Sequence, residues 1–143
     1  MENIIRRAQL KGAFHGFKRD MLFSLGDHSH WLQAEYKYWY HYAYRPMIEI
    51  FQAGGQPYLQ LAGGSEAVRV RQLFGVTESQ IADVFEGWQG DSTYKLTNGQ
   101  VWKQTAYKYE YKYAYRPRAV IYPATAGTLM DVGGSMAVVQ QVR

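Results

Sequence analysis

The chain reads as an all-β protein built of two tandem small β-barrels of the SH3-like type, and three observations predict it. The first is self-similarity: sliding the sequence by 71 residues brings Phe14 onto Phe85, Gly16 onto Gly87, Asp20 onto Asp91, Leu25 onto Leu96, Trp31 onto Trp102 and Gln33 onto Gln104. A one-residue deletion in the second copy then aligns Gly63-Gly64-Ser65 with Gly133-Gly134-Ser135, the mark of an internal duplication. The second is period. Apolar residues recur at every second position in short runs, and no segment has convincing helical spacing. The third is punctuation, because glycine and asparagine turn signals separate those runs at the intervals expected of a small barrel.

The duplication sets the domains. The first repeat is placed at residues 1–75 and the second at 76–143, with the repeated cores at about 8–74 and 79–143 joined by Gly75-Val76-Thr77-Glu78. Hydrophobic residues make up 47% of the chain and charged residues 20%, which suits a folded domain better than a disordered one.

The second copy shows the elements most clearly. QIADVFEGW alternates through Ile81, Asp83 and Phe85, and TYKLTNGQVWKQ places Asn98-Gly99 between two alternating runs. Asn-Gly favours a two-residue hairpin turn because both central residues take positive φ there. In the first copy His28-Ser29 sits at this turn. RAVIY, TLMDV and MAVVQQV follow, with Gly133-Gly134 as a turn, giving five or six strands per unit.

Between these elements lies the chain's most unusual feature. Residues 36–46 read YKYWYHYAYRP and residues 107–117 read YKYEYKYAYRP, identical at nine of eleven positions. In a strand, Tyr36, Tyr38, Tyr40, Tyr42 and Tyr44 form one row, while Lys37, Trp39, His41 and Ala43 form the other. Charged residues favour water, so the tyrosines are expected inward, with the outer hydroxyls at the rim and Pro46 and Pro117 ending the pairing. Trp39 is then left on the outer face between Lys37 and His41, and something outside its own unit is expected to cover it. The competing reading makes the outer tyrosines an exposed stacking platform.

The stretch FEGWQGDSTYKLTNGQVWKQTAYKYEYKYAYRPRAVIY resembles a family of small bacterial β modules of uncharacterised activity, marked by an NGQ-W-Q stretch followed by alternating tyrosines. The resemblance covers the second repeat well. The first departs from it, with LGDHSHWLQ where the second has LTNGQVWKQ. It implies a fold and no activity.

Function is read mainly by elimination. The chain has no cysteine, which removes disulfides, thiolate catalysis and cysteine-ligated zinc. The start has no secretory pattern, and no run approaches the roughly 20 apolar residues of a membrane helix, so a cytoplasmic location is expected. The net charge of +4 is spread as +3 up to residue 75 and +1 after it, with both signs interspersed throughout. His15, His28, His30 and His41 correspond to Glu86, Gly99, Val101 and Lys112, so the shared pattern requires none of them and no metal or other cofactor is expected. No nucleophile motif, phosphate-cradling loop or paired acids point to an enzyme.

The expectation is a non-enzymatic module that binds a protein or peptide partner, with self-association as one form of it, and single-stranded nucleic acid as the alternative. The residues expected to carry binding are Tyr36, Tyr38, Trp39, His41, Tyr107, Tyr109, Arg45 and Arg116.

Overall fold

The computed structural model describes residues 3–143, and among them there are strands and turns but no helix. It divides into two compact units, Met1–Phe74 and Gly75–Arg143.

The first unit contains β1 (Asn3–Gln9), β2 (Ala13–Phe14), β3 (Leu22–Ser24), β4 (His30–Gln33), β5 (Ala43–Tyr44), β6 (Met47–Ala53), β7 (Gln56–Leu61) and β8 (Ala67–Leu73). Six of these form an antiparallel sheet in the order β1-β6-β7-β8-β4-β3, while β2 pairs with β5 as a separate ribbon. The second unit contains β9 (Thr77–Gln80), β10 (Val84–Gln89), β11 (Thr93–Lys95), β12 (Val101–Gln104), β13 (Tyr109–Tyr115), β14 (Arg118–Ala124), β15 (Gly127–Val132) and β16 (Ser135–Gln141). Its sheet runs β9-β14-β15-β16-β12-β11, with β10 and β13 as the ribbon, so position by position the strand order is the same. Each sheet curls into a half-barrel. Isolated bridges, Leu10 to Leu25 and Ile81 to Leu96, bring the ends of its outer strands together.

Eight strand segments per unit exceed the five or six expected. Part of the difference lies in the joint: Thr77 and Glu78, read from sequence as a connector, begin β9 and pair with Ile121 and Val120 of β14. The Glu78 carboxylate also accepts from Arg118.

Each unit has its own core. Phe14, Phe17, Phe23 and Trp31 fill the first, and Phe85, Trp88, Tyr94 and Trp102 fill the second. Rings meet edge to face, as between Phe14 and Phe17 at 5.9 Å and between Phe85 and Trp88 at 5.2 Å, the arrangement that ring quadrupoles favour.

The hairpin at Asn98-Gly99 is wider than a two-residue turn. Gly99 has a φ of 90° but Asn98 is not in the positive-φ region, and the Gly99 amide donates to Leu96 O while the Leu96 amide donates to Gln100 O. This is a three-residue loop ending in a glycine bulge. His28, at φ 69°, takes the glycine's place in the first unit, so the matching pair is Asp27-His28 rather than His28-Ser29.

Candidate functional site: two exposed tyrosine rows

The local sequences FHGF and FEGW determine where the tyrosine segments lie. Phe14 with Phe17, and Phe85 with Trp88, turn into the cores, and Gly16 or Gly87 between them lets the tyrosine segment pass close over the ribbon. A Cβ on Gly16 would stand 1.9 Å from the Trp39 carbonyl oxygen, and one on Gly87 1.9 Å from that of Glu110. No larger side chain fits this crossing. Both glycines also hold positive φ, at 90° and 96°. The register of β10 on β13 slips between Phe85 and Gly87, where Glu86 alone faces Lys112 and Tyr113, so the tyrosine strand carries the extra residue of a bulge.

The core beneath the ribbon is therefore filled from β2 and β10, and the tyrosines face away from it. This reverses the expected orientation. Tyr36, Tyr38, Tyr40, Tyr42 and Tyr44 are 56–80% exposed, and Tyr107, Tyr109, Tyr111, Tyr113 and Tyr115 are 60–86% exposed. The inner row is the one that carries lysine. Lys37 donates to Ala67 O at 2.7 Å, pairs with Glu66 at 3.0 Å and lies over the Phe17 ring. Lys108 donates to Met136 O and Lys112 to Gly133 O. A lysine can cover apolar surface with its stem and spend its charge on strand-end carbonyls, so its charge does not force this row outward.

Trp39 is likewise not on an outer face awaiting a partner. Its ring lies 5.2 Å from Phe17 and 6.2 Å from Phe14, and His41 stacks on it at 5.0 Å with an interplanar angle of 6°. Its own unit covers it. The second unit exchanges the two sizes, with Trp88 in place of Phe17 and Glu110 in place of Trp39. The buried Trp88 indole N–H then needs an acceptor and donates to Ser135 Oγ at 2.8 Å, whose hydroxyl donates to Glu110 Oε1 at 2.7 Å. The Ser135 bond, opposed by partial burial and aided by Lys108 and Lys112, holds the Glu110 carboxyl below its ordinary pKa.

Both ends of each tyrosine segment are fixed by glutamine amides. Buried Gln33 donates to the carbonyls of Glu35 and Lys37 and accepts from the Lys18 amide. Gln104 repeats this with Ala106, Lys108 and the Gly90 amide. At the far end Gln9 and Gln80 donate to the carbonyls of Arg45 and Arg116. Sequence alignment matched Gln33 with Gln104 but missed what they do; the available signal was a polar amide held in common within an apolar stretch.

The eight residues expected to bind divide into three groups. Tyr36, Tyr38, Tyr107 and Tyr109 are exposed on the rows. Trp39 and His41 form a stacked pair on the opposite side of the segment. Arg45 and Arg116 stand at the corners where each row ends, both exposed and both at φ 49°, a backbone region that residues with a Cβ seldom enter. Among the described residues, no group of three or more His, Asp or Glu could hold a metal ion, and no helix is long and apolar enough to cross a membrane. No family model, curated protein or solved structure matches the chain.

Proposed function

We propose that the chain is a pair of small barrels of the SH3-like type, related by internal duplication, whose tyrosine rows form a non-enzymatic binding surface for protein chain in extended form. The observation that carries this reading is the exposure of all ten row tyrosines, 56% or more each. Tyrosine presents large, stiff contact area with a polar tip, which is why it is enriched at interface cores. Alternate residues of a strand repeat about every 6.7 Å, the same repeat as the side chains of an extended peptide laid alongside. In the first unit, no hydrogen bond among the described residues uses the main-chain N–H or C=O of Tyr38, Tyr40 or Tyr42. Such an edge can accept an added strand.

Nucleic acid is the weaker reading. Tyrosines can stack on bases, but phosphate binding needs cations along the rows; Lys37, Lys108 and Lys112 are engaged with carbonyls on the other side, and the strand beside the second row carries Asp83 and Glu86.

Selection from a random peptide library displayed on phage tests the proposal. The wild type is expected to select extended, turn-free peptides, and Tyr38→Ser with Tyr40→Ser to weaken them by about tenfold or more without lowering the melting temperature. Tighter binding of single-stranded oligonucleotides than of any selected peptide, with a steep loss on adding salt, would overturn it.

A further inference from the structure

The tyrosine rows are nearly the same in the two units, but the strand beside each row is not. Residues 11–20, KGAFHGFKRD, contain Lys11, Lys18, Arg19 and Asp20, a net charge of +2 with histidine neutral. The equivalent residues 82–91, ADVFEGWQGD, contain Asp83, Glu86 and Asp91, a net charge of −3. Several of these positions border the tyrosines directly. His15 lies 5.9 Å from the Tyr42 ring, and Glu86 is its counterpart, facing the bulge of β13. Gln89 is opposite Tyr109, and Gly90, counterpart of Arg19, lies against the Tyr107 ring, where a Cβ would be 3.6 Å away. One face is thus a tyrosine row with a basic margin and the other a tyrosine row with an acidic margin.

We infer that the partner of each row is a second copy of this chain, the first-unit face of one molecule lying against the second-unit face of another. This rests on the reading of the rows as a protein-binding surface and names the protein. Two rows of equal pitch can interleave ring between ring, and the opposite margins favour this pairing over first unit on first or second on second, where like charges would meet. Area is sufficient. Five tyrosines about two-thirds exposed present on the order of 700 Å², close to the ~800 Å² that a standard interface takes from each partner. The contact is heterologous, because the two surfaces differ. It propagates head to tail unless the rotation between molecules closes it into a ring.

Sedimentation velocity over about 1–500 µM, a range suited to an interface of this size, should show mass rising with concentration. Two charge variants give the deciding result. Asp83→Lys with Glu86→Lys and Gln89→Lys makes both margins basic, and His15→Glu with Arg19→Glu makes both acidic. Each variant alone is expected to associate at least about tenfold more weakly than the wild type, and an equimolar mixture of the two to recover association to within about threefold, because each variant then supplies the face the other lacks. Arg19, Asp83, Glu86 and Gln89 are exposed and His15 is half-buried, and circular dichroism with thermal melting checks that both variants fold.

The inference is overturned if the wild type stays monomeric throughout, if either variant alone associates as the wild type does, or if the mixture does not recover. The underlying reading can fail separately. Tyrosine-dependent binding of selected peptides by a monomeric protein keeps the rows as a peptide surface and removes the second copy, whereas loss of peptide binding as well removes both.

Discussion

At the turn between β3 and β4, Asp27 accepts from the Ser29 hydroxyl at 2.6 Å, the Ser29 amide at 3.0 Å and Arg6 at 2.7 Å. Partial burial disfavours its charge, but these bonds outweigh burial and hold its pKa at about 2, below the 3.8 of an ordinary aspartate. The folded pKa is the lower one, so the stabilisation is present above about pH 4 and is lost as pH falls toward 2. Its side chain is 32% exposed, and solvent screening reduces the benefit to about 1 kcal/mol. Asp27→Asn should therefore cost about that much in urea unfolding at pH 7 and almost nothing at pH 2; an equal loss at both pH values would refute the assignment. Alignment with Asn98-Gly99 located this turn in the sequence. Arg6, 21 residues upstream, was not legible, because only the curl of the sheet brings β1 to it.

For the tyrosine segment as an element, period was legible and direction was not. Two-residue alternation separates two rows but cannot say which faces in when both contain amphipathic side chains. The deciding residues lie on the paired strand: Phe14 and Phe17, or Phe85 and Trp88, already occupy the core, and Gly16 or Gly87 admits only bare backbone. Gly87→Ala adds a Cβ at 1.9 Å from a carbonyl oxygen to a positive-φ strain, whereas Gly99→Ala, also at φ 90°, meets nothing within 4 Å. The first is expected to lose more than about 3 kcal/mol and the second about 1–2 kcal/mol. Thermal melts of the two variants compare them, and equal losses would mean that the ribbon crossing yields easily.

For the whole molecule, each unit holds a complete sheet and a separate core, and no strand of one sheet comes from the other unit. Residues 75–143 made alone should accordingly unfold cooperatively, with a urea m-value about half that of the full chain, since m follows the surface exposed. A fragment that gives no cooperative transition would show that the second unit depends on the first. The all-β class was readable from alternation alone. The strand count was not: β2 and β5 are only two residues long, and β9 begins in residues that look like a connector.

The exchange of Phe17 and Trp39 for Trp88 and Glu110 limits how the ribbons can be recombined. A chimera that carries β10 into the first unit brings an indole N–H to the place of Phe17, against a neighbouring Trp39 that offers bulk but no acceptor. Carrying only the Glu110 segment removes the indole that covers Phe17 and leaves a carboxylate over apolar rings. Neither half works alone, since the first overfills the site and strands a donor while the second opens a gap beneath a charge. The strand registers, Gln33 on Val70 and Gln104 on Val139, put Glu66 rather than Ser65 at the place of Ser135, so Trp88, Glu110 and Ser135 act as one block drawn from three separate parts of the unit. A laboratory experiment that shuffles segments between the two units should retain the block whole or replace it whole.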